Sequence, residues 1–337
     1  MKKIFLAVLC AVITFLSAFG AASCGTNKDG IFVCAPDGAT ALALAGLING
    51  EAEFDREVNY EIVNSENIHT YVTGKNPKSD ICILPLNRAS IILGDGSTYK
   101  MLGAVTHGNL FIMKKEGLPD ITVENLGSLI GKTVGVMQMN NVPGLIFRLI
   151  LNDNGIAFNV LGNDGATDSE KVNLKAVTAA EVIPSDKTCD YFVVPEPAAS
   201  AKQKVTAGKL SVAGSLQTLY GGENGYPQAV LVAKSELISS SPSFVEKFTA
   251  AVSDNAEWLL DGETSVETIV NAVNGKLTAG MSPSLTVQNV TKDVIRNCAI
   301  RFVKAADCKA EVNSFISKLV AVEPAAAKAV SDAFFHI

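Results

Sequence analysis

Apolar residues come along this chain in short unbroken runs closed by turn residues, the pattern of strands covered on both faces. Ile31 to Ala35 (IFVCA) is such a run; it gives way at Pro36-Asp37-Gly38-Ala39-Thr40 to ALALAGLING, which predicts a helix stopping at Asn49-Gly50. Asn59 to Val63 predicts a second strand, Glu66 to Thr73 a helix ended by Gly74, and Ser79 to Leu84 a third strand. Pro85-Leu86-Asn87 closes that strand ahead of a helix from Arg88 to Leu93. Met101 to Lys114 reads as one long strand with Gly103 and Gly108 inside it. Past Leu126 to Leu129, Gly131 to Val136 (GKTVGV) predicts a tight turn entering a strand, followed by Met137 to Asn141 and a helix from Pro143 to Asn154. Cys189 to Val194 is another strand, closed by Pro195-Glu196-Pro197 before an alanine-rich helix, and Tyr226 to Ala233 is a late strand. Helices follow at Pro242 to Leu260, Ser265 to Asn274, Leu285 to Asn297, Asp307 to Val320 and, at the terminus, Val322 to Ile337. Strands alternating with helices predict an α/β fold with mainly parallel sheets, their strand-end loops lying along one edge.

The first 24 residues follow a different rule. Lys2 and Lys3 precede an apolar run from Ile4 to Phe19, and small residues then lead to Cys24 in Ala21-Ala22-Ser23-Cys24-Gly25. This is the form of a secretory signal peptide over residues 1–23, and its end resembles a bacterial lipobox, with Ala21 where leucine is usual. The resemblance implies lipidation of Cys24 and anchoring at a membrane surface; an ordinary signal cleaved nearby is the alternative. The run is short for a spanning helix, and no later stretch is apolar enough for one. Residues 24–30 then form a lipidated cysteine and a short polar tether.

Just over 300 residues remain, comfortable for two lobes and long for one core. With 48% hydrophobic and 18% charged residues the chain is globular. A formal charge of −6 with no basic cluster argues against a nucleic-acid partner. His69, His107 and His336 are too scattered to form a metal-ligand pattern, and no C-x-x-C spacing occurs, so no metal or cofactor is expected. Cys34 and Cys82 fall in strand-like runs as buried thiols; Cys298 and Cys308 are near enough in sequence for a local disulfide, which sequence alone leaves open.

Six segments carry a resemblance: CAPDGATALALA at 34–45, DICILPLNRAS at 80–90, YKMLGAVTHGNLFIM at 99–113, GKTVGV at 131–136, DYFVVPEPAAS at 190–200 and YPQAVLVAKSEL at 226–237. Their order and spacing, behind a lipoprotein-like signal, resemble the substrate-binding lipoproteins of bacterial ABC importers, in the group similar to alkanesulfonate-, nitrate- and pyrimidine-precursor-binding proteins. The resemblance implies a two-lobed periplasmic-binding-protein fold of type II. Residues 31–109 and 226–337 would form one lobe and 110–225 the other, with a hinge and a ligand cleft between them. It implies a monomer whose partners are a small-molecule ligand, an ABC permease with its ATPase, and a membrane. A solute sensor or scavenger without a permease would have the same fold.

Strand carboxyl ends are where open α/β sheets bind ligands, and these give the candidate residues. Asp37, Gly38, Ala39 and Thr40 offer free N–H groups, a helix end and a hydroxyl to an anionic or polar group, or Asp37 merely caps the helix. Leu86 and Asn87 occupy the equivalent turn, and Thr106, His107, Gly108 and Asn109 the first crossing between lobes, where Gly108 permits close ligand approach or a bend. Gln138, Asn140 and Asn141 would face the cleft from the other lobe. Glu196 would bind an amine or hydroxyl, or start a helix. Tyr226 would stack on a planar ligand beside Gln228 at the return crossing, and Arg296 would pair with an acid or remain solvated. A small polar organic or anionic solute fits this set, and the 7% aromatic content argues weakly against a sugar site. Enzymes occur on similar folds, yet G-x-S-x-G, H-E-x-x-H and P-loop motifs are absent, so no enzyme is expected.

Overall fold

The computed structural model describes residues 30–162, 165–221 and 224–337. The expected signal peptide, Cys24 and nearly all of the expected tether lie outside the described residues. Among the described residues twelve strands form two six-stranded sheets, each flanked by helices. The first sheet is built from β1 (Ile31–Pro36), β2 (Val58–Val63), β3 (Ile81–Pro85), β4 (Tyr99–Thr106), β11 (Ala229–Lys234) and β12 (Ile300–Lys304), in the order β12-β4-β11-β3-β1-β2. The second holds β5 (Leu110–Lys115), β6 (Thr133–Met137), β7 (Phe158–Val160), β8 (Val172–Val177), β9 (Tyr191–Pro195) and β10 (Leu210–Ser215), in the order β10-β5-β9-β6-β8-β7. The α/β architecture expected from the alternating runs, and the two lobes that the resemblance implies, are therefore present.

Pairing is parallel at β1–β2 and β1–β3, and at β9–β6, β6–β8 and β8–β7. It is antiparallel around the strands that enter and leave the second lobe: β11 lies between β3 and β4, and β5 between β10 and β9. The run from Met101 to Lys114 is not one strand. It breaks at His107–Asn109, and its halves join different sheets. Four strands lack a clear apolar run and were not expected: β7, β8, β10 and β12.

The helices are α1 (Ala39–Leu42), α2 (Ala45–Asn49), α3 (Leu86–Leu93), α4 (Val142–Asp153), α5 (Ala198–Val205), α6 (Leu216–Gly221), α7 (Ser235–Ser240), α8 (Pro242–Leu260), α9 (Val266–Asn274), α10 (Lys292–Asn297) and α11 (Ala305–Val322). In α8 a proline opens the first turn, where its missing N–H costs nothing, and Phe244, Val245, Phe248, Val252 and Leu259 bury one face. Three expected helices are corrected. Glu66 to Thr73 holds only a 3-10 turn, Ile68–Tyr71, because the Asn64 side chain accepts from the Glu66 N–H and favours a turn. The helix expected from Leu285 starts at Lys292, where the Thr291 hydroxyl caps it, and Thr286 and Asn289 fold the preceding residues into a side-chain-stabilised turn. The terminal helix does not form: α11 ends at Val322, Pro324 follows, and Phe334 and Phe335 pack back into the core in a short 3-10 segment.

One apolar cluster joins the lobes. It runs from Cys82 and Leu84 of the first sheet through Tyr226 and Phe315 to Leu145 and Val136 of the second lobe. Helix α11 packs on β4 and β12 of the first sheet and also faces α4, with Lys318 paired to Asp153 at 2.9 Å and Arg148 to Glu323 at 3.4 Å. Cys298 and Cys308 are separate buried thiols, so the local disulfide left open by the sequence is not made.

Candidate functional site

The chain passes between the two sheets at His107–Asn109, where the ends of β3 and β4 and the start of β11 come together and Asn109 reaches Glu196 at the end of β9. At the crossing, backbone bonds lock the strand ends together. Leu86 N–H donates to the Gln228 carbonyl at 2.9 Å, Gln228 N–H to the Thr106 carbonyl at 2.9 Å, and Tyr226 N–H to the His107 carbonyl at 3.2 Å. Asn109 then ties this floor to the second lobe, its Nδ2 donating to the Glu196 carbonyl at 3.1 Å while its Oδ1 accepts from Gln228 Nε2 at 2.9 Å.

Buried polar atoms without a protein hydrogen-bond partner concentrate at this crossing. They are Asn87 Oδ1, Thr106 Oγ1, the Tyr226 hydroxyl and Gln228 Oε1, beside a His107 ring that lies against the Arg301 main chain; among the described residues Tyr60 and Asn274 supply others. Asn87, Thr106, His107 and Tyr226 are each no more than 2% exposed. A buried polar group left unpaired costs about 1–3 kcal/mol, so such a concentration calls for a partner. Burial, with the positive Arg301 nearby, drives the His107 pKa down to about 3, and the ring is neutral at physiological pH. Burial also pushes the Tyr226 hydroxyl well above its usual range, keeping it protonated.

Other candidates are already engaged by the protein. Asp37 accepts from Gly38 N–H at 2.7 Å and from Ser284 N–H at 2.9 Å, and Thr40 donates its hydroxyl to the Pro36 carbonyl. Helix α1 spans only four residues, so Gly38, Ala39 and Thr40 present a much weaker helix end than expected. The Leu86 side chain is core. Gly108 is not open to a ligand: a methyl built there would overlap Gln217 and approach the Tyr226 ring, so the glycine admits these side chains. One face of Tyr226 is occupied by Phe315, stacked at 5.7 Å, while Tyr220 meets it edge-on at 5.4 Å, which leaves that face no room for a planar ligand.

Glu196 is 3% exposed and fully committed. One oxygen accepts from the Ser200 hydroxyl at 2.7 Å and from Asn297 Nδ2 at 3.2 Å, the other from Ser200 N–H at 3.0 Å. It caps α5 and, through Asn297, holds the first lobe; it is not a free ligand carboxylate. Gln138 and Asn140 are exposed and Asn141 half-buried in the loop after β6. Gln138 adopts φ 55°, a left-handed conformation that costs a non-glycine residue about 1–3 kcal/mol. Arg148 steadies this loop from α4, donating to the Gly144 carbonyl at 3.1 Å and the Met139 carbonyl at 3.3 Å. Arg296 is exposed and pairs with Asp293 on the surface. Sequence reasoning missed Asn297, Arg148, Gln217 and Ser284; each acts on a partner distant in sequence or inside a helix, where no local signal marks it.

No family model matches the chain, and no curated protein matches it. Solved structures do. An ABC transporter structure from Parabacteroides distasonis superposes with a TM-score of 0.71 at 16% identity, covering 92% of this chain and 99% of that one. The periplasmic aliphatic sulphonate binding protein SsuA from Escherichia coli gives 0.60 at 13%, covering 89% and 88%. The ligand-binding component of an ABC-type import system from Staphylococcus aureus, solved with zinc bound, gives 0.58 at 13%, covering 92% and 97%. The chain thus has the two-lobed fold seen in substrate-binding components of ABC transporters.

Proposed function

We propose that this chain is the extracytoplasmic substrate-binding component of an ABC importer, capturing a small solute between its lobes and delivering it to a permease. The carrying observation is the set of unpartnered buried polar atoms on Asn87, Thr106, Tyr226 and Gln228, gathered where the two sheets meet. The lobes divide after Asn109 and after Gly225, and the protein acts as a monomer held to the membrane by lipid on Cys24. Asn87 and Gln228 contact solute directly, while Asn140, Asn141 and Gln138 close over it from the second lobe. Strand ends of two joined α/β sheets are a general site for ligands, which supports a binding role. The test is native mass spectrometry of the protein from its own cells, followed by uptake of the bound compound in cells lacking the gene. One small molecule at equal stoichiometry, with uptake lost, is expected. A bound molecule with normal uptake would favour a sensor or scavenger, and no bound or binding solute would refute the reading.

A further inference from the structure

We infer that the cleft selects an uncharged molecule presenting N–H or O–H donors and discriminates against anions; this deepens the solute-binding reading and rests on it. The hydrogen-bond logic fixes which atoms are left over. The Glu196 main-chain carbonyl only accepts, so Asn109 must turn its Nδ2 toward it and its Oδ1 toward Gln228. Gln228 must then donate through Nε2, and its unpaired atom is the carbonyl oxygen Oε1. Independently, the Ala326 carbonyl takes Asn87 Nδ2 at 3.1 Å, and again the unpaired atom is the oxygen, Oδ1. Both amides at the floor therefore present acceptors, with orientations set by groups that cannot be reversed.

The charges around the floor agree. Its carboxylates are Asp37 and Glu196, whose oxygens are occupied by protein donors. They contribute negative potential without offering a ready ion-pair partner. Among the described residues the only buried arginine or lysine is Arg148, and its guanidinium is spent on the Gly144 and Met139 carbonyls and on Glu323. Arg296 is paired with Asp293 at the surface, and Arg301 donates to the Asn224 carbonyl at 2.6 Å. A sulfonate, nitrate or carboxylate would be repelled by these two carbonyl oxygens and would meet no buried, unspent cation among the described residues, the Arg301 guanidinium near His107 being turned to the Asn224 carbonyl. A molecule with N–H or O–H donors would pair both amide oxygens, while Thr106, Tyr226 and the neutral imidazole of His107 give or accept as required.

The test uses the purified full chain in mild detergent, stripped of solute by guanidinium unfolding and refolding. Thermal shifts are recorded with two panels at equal concentration: cyclic ureides, nucleobases and primary amides in one, and alkanesulfonates, nitrate and carboxylates in the other. At least one neutral donor should raise the Tm by several degrees, with the anions silent. Asn87→Leu and Gln228→Met should each weaken that compound about tenfold, the order of one buried hydrogen bond. An anion that binds while the neutral panel is silent overturns the inference and leaves the solute-binding reading standing, as does a cationic amine that outbinds its neutral analogue. Silence from both panels also overturns it. The solute-binding reading falls as well only if native mass spectrometry finds no small molecule on the protein from its own cells. Should either variant fail to refold, the contrast between panels on the unaltered chain decides.

Discussion

Two glycines with nearly the same backbone angle isolate the packing at the crossing. Gly225 has φ 64° and Gly155 has φ 67°, so an alanine at either position pays about 1 kcal/mol for left-handed backbone. A methyl on Gly155 meets nothing within 4 Å. On Gly225 it would overlap the carbonyl oxygen of His107 and touch Gln217. That carbonyl accepts the Tyr226 N–H, so relieving the overlap sacrifices a hydrogen bond of about 1 kcal/mol. Displacing the close-packed strands around it adds about 1–3 kcal/mol. Gly225→Ala should therefore destabilise the protein by about 3–5 kcal/mol and Gly155→Ala by about 1 kcal/mol. Urea unfolding measures both, with unchanged m-values required for the comparison. A gap between the variants smaller than about 0.5 kcal/mol would show that the crossing is not tightly packed around His107.

Acid should destabilise the protein through His107. Its folded pKa of about 3 lies below the ordinary imidazole value of 6.5, so between these pH values the unfolded chain holds a proton that the fold excludes, and stability rises with pH across that window. At pH 5 the loss relative to pH 7 is roughly 2 kcal/mol, and it should shrink in His107→Asn when urea midpoints are compared at the two pH values. Arg148→Lys keeps a charge but cannot reproduce the fork to Gly144, Met139 and Glu323; it should cost about 2 kcal/mol of stability and increase hydrogen exchange at 138–141. Glu196→Ala removes the cap of α5 and the Asn297 bond, a loss of about 2 kcal/mol, and should raise the radius of gyration in solution scattering. Asn297→Ala removes only the bond between lobes and should cost about 1 kcal/mol.

Continuous apolar runs made β1, β3, β6 and β9 legible, because a strand buried on both faces has no polar residue to mask it. β8 was hidden by Asn173 and Lys175: Asn173 is fully buried and satisfied by Asp168 and Asn159, contacts that no local pattern announces. The edge strand β12 mixes Arg301 and Lys304 with apolar residues, as an edge must, and looks like loop in the sequence. The division of Met101 to Lys114 between two sheets depends on pairing with distant strands, Met101 with Val232 and Leu110 with Pro195. Turns at strand ends drew the candidates toward the crossing, where Asn87, Thr106, Tyr226 and Gln228 hold unpartnered polar atoms. What they could not show is which polar groups the protein would use up itself: Asp37 is claimed by Ser284 and Glu196 by Asn297, both far along the chain.

The place of β11 in the middle of the first sheet has a consequence for how the protein is made. β3 and β4 cannot pair with each other; each waits for β11, which leaves the ribosome about 120 residues after β4. At roughly 5–20 residues per second this interval lasts on the order of ten seconds. Throughout it, one edge of β3 and both edges of β4 stand open while the second sheet, whose strands are continuous in sequence, can already assemble. Birth order thus favours the later sheet as the first to fold, with the amino-terminal half-sheet as the segment most in need of protection from aggregation during synthesis.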